Sequence, residues 1–450
     1  MFTTENVAEI TGGAHYGATK EITGLSTDTR TIQQGDLFVA VRGERFDGND
    51  FAQTAMEKGA AAILTDDAER EFPDGMTKIV VRDARIGQLM LAREHRRNTG
   101  VKVCGVTGSV GKTSTKDMIY AVLSSKYGTL KTEGNLNNDI GLPKTLFRLD
   151  KEQTAVIEMG MSDLGEISVL SMAAEPDCAV ITNIGYCHIE NLKTRQNILK
   201  AKLEILDHAK ADAPLIVCGD DEFLRGITPE KAGDRQVVKY GFGGNCDIRA
   251  EELVHLENGE RFVVCAEGGR YEAEIPVNGA HHVLNALCAF AVGREFGMTA
   301  EEIVPAFMNY EASGMRQRIE KRGNKTVILD CYNASPTSMK SSLSVLGGME
   351  VTGRKIAVLG DMLELGDVSA QLHALIAEYV KENAECAFLY GQEMAFCRDA
   401  LIKGGFEVYH SEDKEQLTKM LLEYIKDGDA VLFKGSRGMR MEEIAENITE

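Results

Sequence analysis

Short apolar runs recur along the whole chain, and what separates them changes twice. Up to about residue 98, the runs at 37–41, 60–64 and 79–81 are bounded by turn signals at Gly12-Gly13, Gly35-Asp36 and Asp47-Gly48, the texture of a small α/β domain. From residue 101 the pattern becomes strand, glycine loop and helix: VKVCGV, then TGSVGKTS, then an amphipathic run through Ser125. Continuous apolar runs at 155–157, 179–182 and 215–218, separated by helical spacing, predict a mostly parallel sheet covered by helices. Alternating runs at 261–265 and 271–275 predict antiparallel strands added to it within 247–275, and helices over about 284–296 and 299–310 close the unit.

The segment SGMRQRIEKRGNK (313–325) is polar, glycine-punctuated and locally basic, which suits a junction. Beyond it, strand patterns at 326–329, 356–359, 387–390, 407–409 and 430–433 alternate with helical stretches and predict a doubly wound, Rossmann-like domain. The fold class is α/β in three domains: a small α/β domain over 1–98, a central parallel sheet with added antiparallel strands over 99–312, and the doubly wound domain over 313–450. The length of 450 residues agrees, at about 150 residues per domain. The chain carries no internal repeat and no low-complexity segment.

Composition narrows the function. Hydrophobic residues at 43% and charged residues at 26% are ordinary globular values. The net charge of −19 opposes non-specific nucleic-acid binding, and without Trp there is little to stack bases on; an anionic ligand needs a local site. The ten cysteines include no CxxC pair and read as free thiols in a reducing compartment. The N-terminus lacks Lys or Arg before Lys20 and any signal-peptide core, and no stretch approaches the roughly 20 apolar residues of a membrane span. A cytoplasmic location is expected.

The strongest chemical signal is TGSVGKTS (107–114), set between a buried strand and a helix. In a phosphate loop of the P-loop ATPase type, Gly108, Ser109, Val110 and Gly111 cradle phosphate, Lys112 reaches the β- and γ-phosphates, and Thr113, followed by Ser114, offers its hydroxyl to Mg²⁺. The GxxxxGK[ST] spacing asks for glycine at 106; here Val106 stands there and the glycine is at 105. Glu158 closes the apolar strand 155–157, where a carboxylate emerges at the carboxyl edge of a parallel sheet as an acidic metal partner. His188 follows the next strand, as a ligand or an ordinary loop histidine. Lys202 falls between Ile198 and Leu206 on the apolar stripe of ILKAKLEILDHAK, whereas Lys200 can pair with Glu204 in solvent. An inward lysine either snorkels or is held as something other than a free ammonium, since burial depresses its pKa and a neutral amine can add CO₂ to become a carbamate.

Together TGSVGKTS, NLNNDIGLP (135–143), IEMGM (157–161), TNIGYCHIE (182–190), KAKLEI (200–205), GAHHVLNALCAF (279–290) and DCYNASPTSM (330–339) resemble, in order, the motifs of the Mur ligases, the ATP-dependent amide-bond ligases of peptidoglycan precursor synthesis. That family's P-loop has the same displaced glycine. LSTDTR (25–30), GDLFVAVRGERFDG (35–48), GDMLELG (360–366) and KGSRG (434–438) look like the branch that adds D-alanyl-D-alanine to UDP-N-acetylmuramoyl-tripeptide, and the Asp-Asn-Pro-Arg motif of the third-residue ligase is missing. The resemblance implies a monomer acting on small molecules, with ATP and two Mg²⁺ ions. It implies Lys112, Thr113 and Ser114 at the phosphates, Glu158 at one metal, and His188 with carbamylated Lys202 at the second. Asn285 would contact adenine, Asn137 or Asn138 would line the phosphate site, and Arg316 and Asp330 would face the nucleotide. Thr27, Asp28, Thr29 and Arg30 would receive the uridine end; Asn333, Ser335 and the loop from Asp361 through Glu364 to Gly366 would lie near the dipeptide. Two positions depart from the family pattern: its usual His-Asn is His281-His282 here, and in SGMRQR both Arg316 and Arg318 are candidates for the junction arginine. Rival readings are another Mur or folylpolyglutamate-type ligase, or a P-loop switch protein.

Overall fold

The computed structural model describes residues 2–43 and 46–448; positions 44 and 45 of the 35–48 motif lie outside them. The first unit is a five-stranded sheet in the order Ala14–Tyr16, Thr77–Val80, Ala62–Thr65, Asp36–Val39, Gly24–Ser26, with a small two-stranded sheet, Phe2–Thr3 against Glu21–Ile22. Alternation along its strands sends Leu37, Val39, Leu64 and Ile79 to one core and Phe38, Ala40 and Ile63 to the other, the period-2 consequence of the pleat.

Helix Ala84–Thr99 leads from this unit to the next. The carboxylate of Asp83 accepts from the Arg85 and Ile86 amides at 2.8 and 3.1 Å, satisfying two donors that the first helical turn leaves without partners. Asp83→Ala should lower stability by about 1 kcal/mol, read as a lower urea midpoint at unchanged m-value.

The central sheet has nine strands in the order Gly269–Ile275, Gly259–Ala266, Ile248–Leu256, Val237–Gly241, Leu215–Cys218, Cys178–Ile181, Lys102–Thr107, Thr154–Glu158, Thr129–Lys131. Gly259–Ala266 pairs antiparallel with the strands on both its sides and the remaining pairings are parallel, the added antiparallel strands that the sequence predicts; Thr129–Lys131 and Val237–Gly241 are additional strands. The chain enters at Lys102–Thr107, passes to one side and returns to the other. Register places Glu158 beside Val106 and Ile181 beside Thr107, so three strand ends meet at the switch point where open α/β sheets bind ligands. Helix Ala280–Glu295 begins four residues before the expected 284 and packs on helix Lys112–Ser124; the 299–310 run is helix Ala300–Ala306 followed by a 3₁₀ turn, Phe307–Asn309.

The third sheet runs Arg318–Arg322, Lys325–Asp330, Ala430–Lys434, Lys355–Gly360, Cys386–Tyr390, Val408–Ser411. The polar 313–325 segment is therefore more than a junction: Arg318–Arg322 pairs antiparallel with Lys325–Asp330 at the sheet edge, where backbone pairing needs no apolar face. On the remaining parallel strands, Val327, Leu329, Val431 and Phe433 pack with Leu417 and Leu421, while Ile328, Ala357 and Leu432 face the other way into a core continuous with the central sheet. That continuity seats the third unit over the central sheet's switch point. Among the described residues, no helix is long and apolar enough to cross a membrane.

Candidate active site

The phosphate loop is held from the neighbouring strand end. Val110 N–H donates to Asn183 Oδ1 at 2.9 Å, Val110 C=O accepts from Thr182 Oγ1 and Asn183 Nδ2 at 2.7 and 2.8 Å, and Ser109 Oγ accepts from the Gly185 amide at 2.8 Å. Gly108, at φ +151°, leaves no room for a side chain: an added Cβ would lie 1.8 Å from Thr182 Oγ1. The displaced glycine has a separate cause. A Cβ at Gly105 would lie 3.0–3.2 Å from the Pro176, Ile205 and Met159 side chains, so the glycine suits tight strand packing there, whereas Val106 is buried. Lys112, the first residue of the following helix, donates to the Gly108 carbonyl at 2.9 Å and so folds back over its own loop.

Glu158 is buried at the adjacent strand end. Its Oε2 accepts from Thr113 Oγ1 and its Oε1 from Asn137 Nδ2, each at 2.8 Å. Two hard oxygens side by side, one of them anionic, are a donor pair that suits Mg²⁺. Among the described residues no three His, Cys, Asp or Glu side chains converge. His188 sits at φ +59°, with Nδ1 2.7 Å from Glu364 Oε2. Burial lowers its pKa, opposed by Glu364 and reinforced by Lys112 and Lys202.

Lys202 is 2% exposed, so it does not snorkel. Burial, then the Lys112 charge, hold its ammonium far below the usual lysine range, and no carboxylate compensates. The helix carrying it ends at Leu203. Glu204 turns into a 3₁₀ segment and accepts from the Gly165 amide at 2.8 Å; it caps the 165–168 turn, and the solvent pair expected with Lys200 does not form.

The loop, Glu158 and His188 line a cleft of about 810 Å³ between the central and third units, which takes in Ser109 through Ser114, Asn137, Asn138, Glu158, His188, Asn285, Arg316, Asp330, Asn333 and Ser335, while Lys202 is not part of its lining. Asn285 Oδ1 accepts from Thr115 Oγ1 at 2.8 Å. Of the two junction arginines, Arg316 lies in the cleft with its guanidinium 3.8 Å from the Tyr332 ring centre, whereas Arg318 is 63% exposed and paired with Glu320 at 2.8 Å. Asp330 Oδ2 is occupied by Lys434 Nζ at 2.6 Å and Ser342 Oγ at 2.5 Å. Lys434 also donates to the Asn333 carbonyl at 3.1 Å, and Ser335 caps helix Pro336–Gly348.

Other candidates stand apart from the cleft lining. Asp361 is buried and accepts from the Met394 amide at 2.8 Å; Glu364 reaches the site only through His188. Thr27, Asp28 and Thr29 are half-buried and Arg30 is exposed in a turn of the first unit, where the Arg30 guanidinium holds the Asp28 carboxyl down to about 2. Sequence reasoning missed Thr115, Gln317 and Lys434, whose roles come from contacts across 170, 36 and 104 positions. Only Lys434, inside the KGSRG motif, carried a sequence signal.

Three family models match in series: the Mur ligase family catalytic domain over residues 21–96, the Mur ligase middle domain over 106–293, and the Mur ligase glutamate ligase domain over 316–437. The UDP-N-acetylmuramoyl-tripeptide--D-alanyl-D-alanine ligase of Bacillus subtilis is 40% identical over all of this chain and 98% of its own length; the Escherichia coli enzyme of that name is 33% identical over 100% and 98%. Among solved structures, MurF from Acinetobacter baumannii superposes with a TM-score of 0.92 at 30% identity, covering 99% of this chain and 98% of that one. MurF ligase from Thermotoga maritima in complex with ADP gives 0.83 at 30% identity, over 95% and 96%.

Proposed function

This chain belongs to the Mur ligase family, and from that premise we propose that it joins D-alanyl-D-alanine to UDP-N-acetylmuramoyl-tripeptide with cleavage of ATP. The carrying observation is one cleft in which a phosphate loop, a buried Glu158 and the third unit's Asn333 and Ser335 face the same space. Full-length similarity to ligases of that name supports the substrate assignment.

The tripeptide's terminal carboxylate attacks the γ-phosphorus of ATP in line, releasing ADP and leaving an acyl phosphate. Lys112, freed from the Gly108 carbonyl, offsets charge on the phosphoryl oxygens, while the loop amides fix their position. The neutral amine of D-alanyl-D-alanine then adds to the acyl carbon, its proton passes to a base or water, and the tetrahedral intermediate expels phosphate to leave a peptide bond. In this reading Thr113 and Glu158 would hold one Mg²⁺ ion, and His188 with a carbamylated Lys202 would hold a second, supplying Lewis-acid charge at the phosphates. A neutral Lys202 amine, with no carboxylate to hold it charged, suits CO₂ addition.

Work is divided among units 1–98 for the sugar nucleotide, through the 27–30 turn, 99–312 for ATP, through the loop and Asn285, and 313–450 for the dipeptide and, through Arg316 and Asp330, the nucleotide. The ten free cysteines fit the cytoplasm. Phosphate release from MgATP with the sugar-nucleotide tripeptide, measured with and without dipeptide, should depend on the dipeptide and be matched by a product heavier by its residue mass. Dipeptide-independent hydrolysis with no new product would overturn this assignment in favour of a switch ATPase.

A further inference from the structure

His281 and His282, where the family pattern has His-Asn, are answered by a residue on another element. Gln317 lies in the linker to the third sheet at φ +50°, a conformation non-glycine residues rarely hold. Its Oε1 is 2.8 Å from His282 Nε2 and 3.1 Å from His281 Nε2. His282 Nδ1, on the far side of the ring, is 3.4 Å from Asn285 Nδ2. An amide nitrogen only donates, so His282 Nδ1 accepts and Nε2 carries the proton, which goes to Gln317 Oε1. His281 Nε2 shares that oxygen and donates to it too. Both imidazoles are neutral at pH 7: burial pushes His281 well below its usual range and His282 down to about 4.

The consequence concerns what remains. Two ring N–H groups fill Gln317 Oε1 and fix which way its amide faces. Its Nε2 donors are left over, and Gln317 lines the cleft beside Asn285 and Arg316. We propose that Gln317 is a specificity-determining residue for the nucleotide, its Nε2 donating a hydrogen bond to a ring nitrogen of the adenine edge. His281 and His282 are positioning residues that aim it.

This inference rests on ATP being the nucleotide consumed. The test compares KM for ATP, 1-deaza-ATP and 7-deaza-ATP, each analogue lacking one ring acceptor, in the full-length enzyme and in Gln317→Glu and Gln317→Ala. Gln317→Glu keeps the oxygen that the histidines need and removes the donor. The native enzyme should prefer ATP over one analogue by about fivefold. Both variants should use that analogue and ATP alike, with KM for the sugar nucleotide unchanged and the melting temperature of Gln317→Glu retained. Discrimination surviving in Gln317→Glu, or equal weakening toward ATP and both analogues, would overturn the assignment and leave Gln317 a linker brace. If the native enzyme consumed no ATP with dipeptide present, the ligase reading itself would fail, a result distinct from both.

Discussion

Replacing Lys112 by alanine should lower dipeptide-dependent ligation about a thousandfold while leaving the fold intact. Among the described residues its ammonium has one hydrogen-bond partner, the Gly108 carbonyl at 2.9 Å, and that bond lies within the loop it serves, so removing it orphans no buried carboxylate there. The cost falls on the reaction. As the tripeptide carboxylate approaches the γ-phosphorus, an anion meets an anion in a cleft walled by protein, where a fixed cation is worth far more than in water. Single-turnover acyl-phosphate formation, followed by trapping with hydroxylamine, should fall with the steady-state rate, and the urea midpoint should stay put. Were trapping unaffected while ligation fell, Lys112 would act after phosphoryl transfer and the role assigned above would be wrong.

How much of this was legible beforehand follows from where the information lies. The strand, loop and helix around residues 102–124 are a continuous local pattern, as are the buried strands ending at Glu158 and Ile181; each reads from a dozen residues. Arg318–Arg322 does not, because an edge strand is held by backbone pairing, and its one apolar side chain, Ile319, is exposed. Val237–Gly241 has an apolar pair at 237–238 followed by Lys239, too short a run to separate from a loop, yet the parallel partner Leu215–Cys218 fixes it. The apolar spacing around Lys202 continues through Ile205 and Leu206, but the helix ends at Leu203 and these two are buried from a 3₁₀ turn.

The site divides the same way. Residues at strand ends were found because a parallel sheet delivers them to one edge whatever the rest of the chain does. Gln317 was invisible, since nothing in SGMRQR distinguishes a linker glutamine from one that two histidines 35 and 36 positions away have oriented. Lys434 pairs with Asp330 for a similar reason: their strands are neighbours in register, Asp330 opposite Lys434, a fact that only the sheet order supplies.

Lys202→Met should separate stability from function most sharply. Its ammonium is buried without a carboxylate, with Lys112 adding repulsion, so its folded pKa lies well below the reference of about 10.4 for an unfolded chain. Above that reference value both states are neutral and the lysine carries no penalty. As pH falls, the unfolded chain takes up a proton that the folded one refuses, and stability is lost until the folded pKa is reached, then levels off. Methionine, of similar length, has no such term. In CO₂-free buffer without divalent ions, Lys202→Met should therefore be the more stable protein at pH 7, with the gap closing towards pH 10. Ligation should nevertheless drop about a hundredfold or more, the pattern of a residue kept at a cost to stability for its part in the reaction. Restoring bicarbonate and Mg²⁺ should stabilise the native protein and leave the variant unmoved. A variant less stable at pH 7 would mean that Lys202 is a packing residue, and the second metal position would lose its support.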